Sequence, residues 1–270
     1  MDFNQILSLL NPVAKWLHII AGITWIGLLY FFNFINGHFA ATMDGNTKKN
    51  VVPELMPRAL YWFRWGAAWT WVTGIVLLYI IFWHGSLSMG ESVGSVMFDS
   101  GAEVNMWSHI MLLVTFLAVF IYDFLYKSNI AKNVRLVTII SLLLIFAVEY
   151  LMIHYGEYSY RAFNIHIGAM FGTIMAFNVW FRIWPAQQSI ISSIRDGETP
   201  DSDLVALAGL RSKHNTYLSI PLIWTMINEH TVVFAGKLCG CEGLILALMI
   251  PLGWHIVFQL YKRSAKVKGF

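Results

Sequence analysis

Few side chains in this 270-residue chain can do chemistry, and histidine, with nine copies, stands out among them. Neutral imidazole ligates haem iron through one nitrogen, and near neutral pH it also moves protons. His18, His109, His154 and His166 are flanked by apolar residues, whereas His84 and His230 stand at expected helix ends. Glu149 is a carboxyl inside an apolar run, and intramembrane ionisable groups mark pathways or cofactors. Gly22 follows His18 by one helical turn, so a ligand there would stand above a position with no side chain, where a flat macrocycle has room. Arg161 and Lys15 are the cations available to haem propionates. The two cysteines, Cys239 and Cys241, form neither a disulfide framework nor a C-x-x-C-H haem-attachment motif, and a lone C-x-C is weak evidence for a metal.

These residues must be positioned by membrane-spanning helices. The chain is 57% hydrophobic and only 12% charged, against about 25% charged in soluble domains. Bilayer solvent removes the need for a charged surface. Apolar stretches near the roughly 20 residues a span requires occur at Val13–Ile35, Ala59–Trp83, Trp107–Tyr126, Val134–Ile153, Phe163–Trp184, Thr216–Phe234 and Glu242–Leu260. The expected fold is an all-α, polytopic helical bundle of about seven transmembrane helices, forming a single transmembrane domain over 1–270. Met1 to Leu10 lacks a basic n-region and a cleavage site, so the first apolar run is expected to be retained. Ala186–Ile194 is expected to extend the fifth helix into water. Gly85–Met106 is expected to cap the bundle, and Gly168-x-x-x-Gly172 to pack against a neighbouring helix.

Charge sorting orients the spans. With the N-terminus outside and the C-terminus cytoplasmic, only Lys15, Arg161 and Lys237 of the 18 lysines and arginines fall on the outer side. That distribution follows the positive-inside rule. Six histidines (His18, His84, His109, His154, His166 and His230) then share the outer half, with Glu149 a turn or two deeper. A layer of this kind suits a b-type haem ligated by His18 and a second histidine from His109, His154 or His166.

Each residue also has a plainer role. His84 and His230 fit interfacial capping. Glu149 is either a proton-path group or a carboxyl hydrogen-bonded to a neighbouring helix. Arg58, Arg64 and Arg182 are expected to snorkel to the inner headgroups, and Asp123 to be solvated at its helix end.

Three stretches carry a family resemblance. They are Lys15-Trp-Leu-His-Ile-Ile-Ala-Gly-Ile-Thr-Trp-Ile-Gly-Leu-Leu-Tyr-Phe-Phe-Asn33, Asn178-Val-Trp-Phe-Arg-Ile-Trp-Pro-Ala-Gln-Gln188, and Ser212-Lys-His-Asn-Thr-Tyr-Leu-Ser-Ile-Pro221 with Asn228-Glu-His230 following. Together they resemble the N-terminal membrane domain of bacterial, cytochrome-linked, membrane-bound urate oxidase, also called urate dehydrogenase. The resemblance runs through nearly the whole chain. It implies two-electron oxidation of urate to 5-hydroxyisourate, with electrons passed toward cytochrome c. Fuller members continue into a C-terminal cytochrome c domain bearing C-x-x-C-H. No such motif occurs here, so a separate cytochrome c or other acceptor is expected.

The resulting expectation is a multi-pass oxidoreductase of the bacterial inner membrane that takes a purine substrate, holds haem b and has no nucleic-acid partner. Its cofactor residues would be His18, His109, His154 and His166 with Gly22. Glu149 would relay a proton, and Arg161 and Asn164 would orient the anionic purine. Acidic outer residues (Glu91, Asp99, Glu103, Glu157 and Glu242) would suit a basic cytochrome c, although positive-inside sorting also produces acidic outer loops. The competing functions are a purine or metal transporter, for which Pro221 and Pro251 would break the last two spans, and a non-catalytic haem-binding respiratory subunit.

Overall fold

Long runs of Leu, Ile, Val, Phe and Trp leave the backbone one way to satisfy its polar groups in an apolar solvent, the α-helix. The computed structural model describes residues 2–84, 96–98, 102, 104–228 and 242–268. Among them no strand forms, and a single antiparallel bridge joins Phe98 and Tyr158. Helix α1 (Phe3–Tyr30) passes through a π-helical segment, Phe31–Asn36, into α2 (Gly37–Thr42). Helix α3 (Gly45–Leu78) ends in a second π segment, Tyr79–Trp83. Two plain helices follow, α4 (Met106–Lys127) and α5 (Val134–His154). Helix α6 (Tyr160–Asn178) continues through a third π segment, Val179–Ile183, into α7 (Trp184–Asp196). Helices α8 (Ser202–Asn228) and α9 (Glu242–Ser264) complete the order.

The ends follow local chemistry. Asn105 and Ser108 form a reciprocal capping box at the start of α4 (Ser108 N–H to Asn105 Oδ1 2.9 Å, Asn105 N–H to Ser108 Oγ 3.1 Å). Asn133 caps α5. Gly197, at φ 81°, closes α7 in the left-handed conformation that glycine adopts most easily.

Six continuous helices are long and apolar enough to cross a membrane: Phe3–Thr42, Gly45–Trp83, Met106–Lys127, Val134–His154, Tyr160–Asp196 and Gly243–Ser264. The all-α, multi-pass expectation holds. Three of these helices run 37 to 40 residues, about 55–60 Å at 1.5 Å per residue, well beyond a hydrocarbon core of about 30 Å. The fifth helix extends through Ala186–Ile194 as expected. Helix α8, which carries the sixth expected span, is not among the six. Its buried positions include Arg211, Asn215, Thr216, Ser219, Thr225 and Asn228, and these polar residues lower its average apolarity. Helices α8 and α9 run through Pro221 and Pro251 without a break.

The chain falls into two compact units. The first comprises Met1–Pro12, Gly74–Ile174 and Pro221–Leu252. Within it Gly168 of α6 lies directly under Thr225 of α8, so close that an added Cβ would overlap the threonine hydroxyl. The expected role of Gly168 in helix packing is thus met. Met97 and Phe98 are buried, with Ser159 N–H donating to the Met97 carbonyl at 2.9 Å; most of the Gly85–Met106 link lies outside the described residues. Asp123, expected to be solvated, is instead buried and paired with Lys127 at 2.8 Å.

The second unit comprises Val13–Thr73, Met175–Ile220 and Gly253–Phe270. Here Gly66 lets α3 approach the backbone of α1, since a Cβ would stand 3.2 Å from the Trp25 nitrogen. The Arg64 guanidinium lies 4.0 Å over the Trp184 ring, with Trp180 and Tyr61 beside it. This arginine is therefore packed on aromatics rather than simply extended toward headgroups.

Candidate functional site

The histidines of the first unit divide by burial. His166 on α6 is fully buried, and both of its ring nitrogens are engaged. Its Nδ1–H donates to the Ala162 carbonyl at 2.7 Å, and Nε2 accepts from Trp83 Nε1–H at 2.9 Å. Phe82, Trp83 and Tyr158 box the ring, with the Tyr158 centroid 4.8 Å away. Trp83 ends the π segment Tyr79–Trp83, and such local widenings of a helix frequently accompany functional positions.

His109 on α4 is exposed, its ring centroid 5.8 Å from that of Trp83. Its Nδ1–H donates to the Asn105 carbonyl at 3.0 Å. His154 is also exposed and lies 4.3 Å from the Tyr150 ring. His84 bonds Asn4 Oδ1 at 3.0 Å and meets Phe3 edge-on.

The three residues expected to act on substrate are all in this unit. Glu149 is 4% exposed, and among the described residues its Oε1 has no hydrogen-bond partner. That oxygen faces Gly243 in the first turn of α9, where an added Cβ would stand 3.3 Å from it. The helix terminus there favours negative charge. Asn164 is fully buried; its Nδ2–H donates to the Tyr160 carbonyl at 2.8 Å, while Oδ1 is unsatisfied. Arg161 is half-buried with its Nε likewise unsatisfied. Native proteins pair nearly all buried polar atoms, so three unpaired ones on these residues call for an explanation. Asn228 of α8 donates to the Tyr160 hydroxyl.

His18 is in the second unit, half-buried, with Nδ1 3.1 Å from Thr73 Oγ1. The Thr73 hydroxyl donates to the Trp69 carbonyl at 2.6 Å, so it accepts from His18 Nδ1–H. A Cβ at Gly22 would stand in ordinary contact, 3.9 Å from Thr70, so the position is not tightly packed. Among the described residues no group of three or more His, Cys, Asp or Glu is placed to hold a metal ion. His230, Cys239, Cys241, Glu91, Asp99, Glu103 and Lys237 lie outside the described residues, as does the Glu242 side chain; Glu157 is exposed.

A second polar cluster, not singled out from the sequence, occupies the second unit. Asn33 Nδ2–H donates to Ser212 Oγ at 2.8 Å, and its Oδ1 accepts from the Tyr261 hydroxyl at 2.8 Å. The Tyr30 and Ser219 hydroxyls are 2.9 Å apart. Asn178 Nδ2–H donates to Asn215 Oδ1 at 2.9 Å, and Asn215 Nδ2–H donates to the Met175 carbonyl at 2.9 Å. Arg211, four residues before Asn215 and on the same helix face, is 1% exposed. These bonds join the three stretches that carried the resemblance: Tyr30 and Asn33 from the first, Asn178 from the second, Ser212, Asn215 and Ser219 from the third. The signal in the sequence was the polar spacing 211, 212, 215, 216, 219 on an otherwise apolar helix.

No curated protein and no solved structure matches the chain. The family described as urate oxidase N-terminal matches residues 4–268, nearly the full length. The chain therefore belongs to the urate oxidase N-terminal family.

Proposed function

We propose that this protein oxidises urate, or a closely related purine, at a membrane-embedded site and passes the electrons to a cytochrome c. The observation that carries this reading is the trio Glu149, Arg161 and Asn164, each holding a buried polar atom that no group among the described residues satisfies. An anionic lactam ring supplies complementary groups: charge for Arg161 and an N–H for Asn164 Oδ1. Oxidation of urate to 5-hydroxyisourate removes two electrons, adds one water oxygen and releases two protons. Glu149 is a buried carboxyl in this unit that can take a proton, Asp123 being paired with Lys127, and two one-electron acceptors are required.

A b-type haem fits the donor chemistry of His18 in the second unit and of His109 in the first, each taken by itself. His18 and His109 each donate Nδ1–H to an oxygen of the protein, which leaves Nε2 as the lone-pair nitrogen. His166 has the same tautomer but already gives Nε2 to Trp83, so it would ligate only by surrendering that bond. His154 contributes an exposed ring. When bound, such a haem would supply one-electron redox chemistry. The chain's own residues would hold and orient the purine and accept its protons. The unbroken course of α8 and α9 through their prolines gives no support to a transporter built on broken helices. The N-outside orientation and an inner-membrane location complete the proposal.

The test is anaerobic mixing of urate with the oxidised purified protein while haem absorbance is followed. Reduction of a Soret-absorbing species by urate is expected. A haem-replete preparation that urate does not reduce would refute the oxidase reading, and a purified protein with no Soret band from a haem-supplied host would refute the haem.

A further inference from the structure

Arg64 on α3 is half-buried in the second unit, with its guanidinium among aromatic rings. Its Cζ stands 4.0 Å from the Trp184 ring centroid, 5.7 Å from that of Trp180 and 5.8 Å from that of Tyr61. Trp180 Nε1–H donates to the Arg64 carbonyl at 3.0 Å, and the Trp65 ring meets Trp180 edge-on at 5.5 Å. The cage is thus tied to the backbone that carries the arginine. A ring face attracts the charge but supplies no oxygen acceptor, so the five guanidinium N–H donors still lack partners. Among the described residues Nε is buried and unsatisfied, and the side chain makes no hydrogen bond and no ion pair.

Position decides what can supply the missing acceptors. The apolar run Ala59–Trp83 begins five residues before Arg64, about 7–8 Å along the axis, a distance that a long arginine side chain spans. The run Phe163–Trp184 ends at Trp184, the ring nearest the guanidinium. Both therefore belong to a membrane–water boundary, the level of lipid headgroups, where Trp and Tyr gather. Tyr61, Trp62 and Trp65 are exposed there. From Gly45 to Arg64, α3 carries Lys48, Lys49, Arg58 and Arg64 against the single carboxylate Glu54, a balance that draws anionic lipid. A phosphodiester presents two oxygens that a planar guanidinium fork can bind at once. The headgroup that fits carries no cation of its own, because Arg64 already holds the Trp184 face that an ammonium would take. We propose that Arg64 and its aromatic cage bind the phosphate of one anionic phospholipid, of the phosphatidylglycerol class. This site is independent of the urate chemistry proposed above.

The test is native mass spectrometry of the full chain, delipidated in detergent and titrated with dioleoyl phosphatidylglycerol or dioleoyl phosphatidylcholine. Wild type is expected to bind its first phosphatidylglycerol about tenfold more tightly than phosphatidylcholine. Arg64→Gln, and Arg64→Met with its stem still against Trp184, should bind the two lipids within about twofold of each other. Arg64→Lys keeps the charge without the planar fork and should retain a preference of about threefold. Arg58→Gln, at an exposed arginine paired with Glu54, should keep the wild-type preference. Melting in the same detergent checks the fold of each variant; should both neutral variants fail to fold, Arg64→Lys decides. A wild type that binds both lipids alike refutes the site, as does a full preference kept by the folded Arg64 variants. If millimolar ammonium phosphate abolishes the preference in wild type, the cage is a site for free phosphate and the lipid assignment falls.

Discussion

The Trp83–His166 pair offers a direct measure of what holds the first unit together. Trp83→Phe removes the indole N–H that Nε2 of His166 accepts at 2.9 Å. His166 is fully buried and its other nitrogen is committed to Ala162, so Nε2 is left with no replacement donor. An unsatisfied buried acceptor costs about 1–3 kcal/mol. The space left by the smaller ring adds a cavity term of about 1 kcal/mol, for a total near 2–4 kcal/mol. His166→Leu leaves the Trp83 N–H unsatisfied instead, at about 1–3 kcal/mol. The double variant removes both polar partners, so its cost should fall short of the sum by about 1 kcal/mol, with about 1.7 the upper end found for pairs within membranes. Reversible unfolding in mixed micelles of the four proteins gives the cycle. Additivity within about 0.3–0.5 kcal/mol would show that the two side chains do not stabilise one another, and would refute the assignment of His166 as a satisfied core histidine.

Gly168→Ala should destabilise the protein by about 1–3 kcal/mol through overpacking against Thr225. Pairing it with Thr225→Ala should recover part of that loss in the same unfolding assay, and a further loss would refute the contact. Glu149→Gln keeps the shape but cannot accept a proton. Urate-driven reduction should slow at least tenfold, about 1.4 kcal/mol in the barrier, while urate binding persists; an unchanged rate would remove Glu149 from the proton path. Asp44 accepts hydrogen bonds from the Thr47 backbone N–H and hydroxyl, which hold its carboxyl below the usual aspartate range. Its capping of α3 is therefore complete above the unfolded pKa, about 3.9, and is lost as pH falls through the lowered value. Amide exchange over residues 45–48 should accelerate at acid pH relative to Asp44→Asn, which retains an acceptor at every pH, and matched rates would count against the cap.

The spans were legible in the sequence because lipid solvent demands continuous apolar runs, and 20-residue stretches reveal themselves without knowledge of their neighbours. Helix α8 was the informative exception. Its inward polar stripe at Arg211, Asn215 and Ser219 lowers its average apolarity, so composition alone undervalues a helix whose buried face is polar. Asp123 was misread for a related reason: position near a helix end suggests water, but burial depends on what packs there and Lys127 bonds to it.

The residue types at the candidate sites were set by the sequence alone: histidines near helix ends, a carboxyl in an apolar run, and three stretches similar to one family. Which of them are partnered was decided only by tertiary structure. The bonds that tell them apart, such as Trp83 to His166, need distances of about 3 Å between segments remote in sequence, and spacing along one helix cannot supply those. Hence His166, which looked equivalent to His109 and His154, proves to be engaged at both nitrogens, whereas Glu149, Arg161 and Asn164 each keep a buried atom that no described residue satisfies. For the same reason Asn33, Asn178 and Ser212, which only marked a resemblance when read along the chain, meet in hydrogen-bonded pairs near a buried arginine once the helices pack.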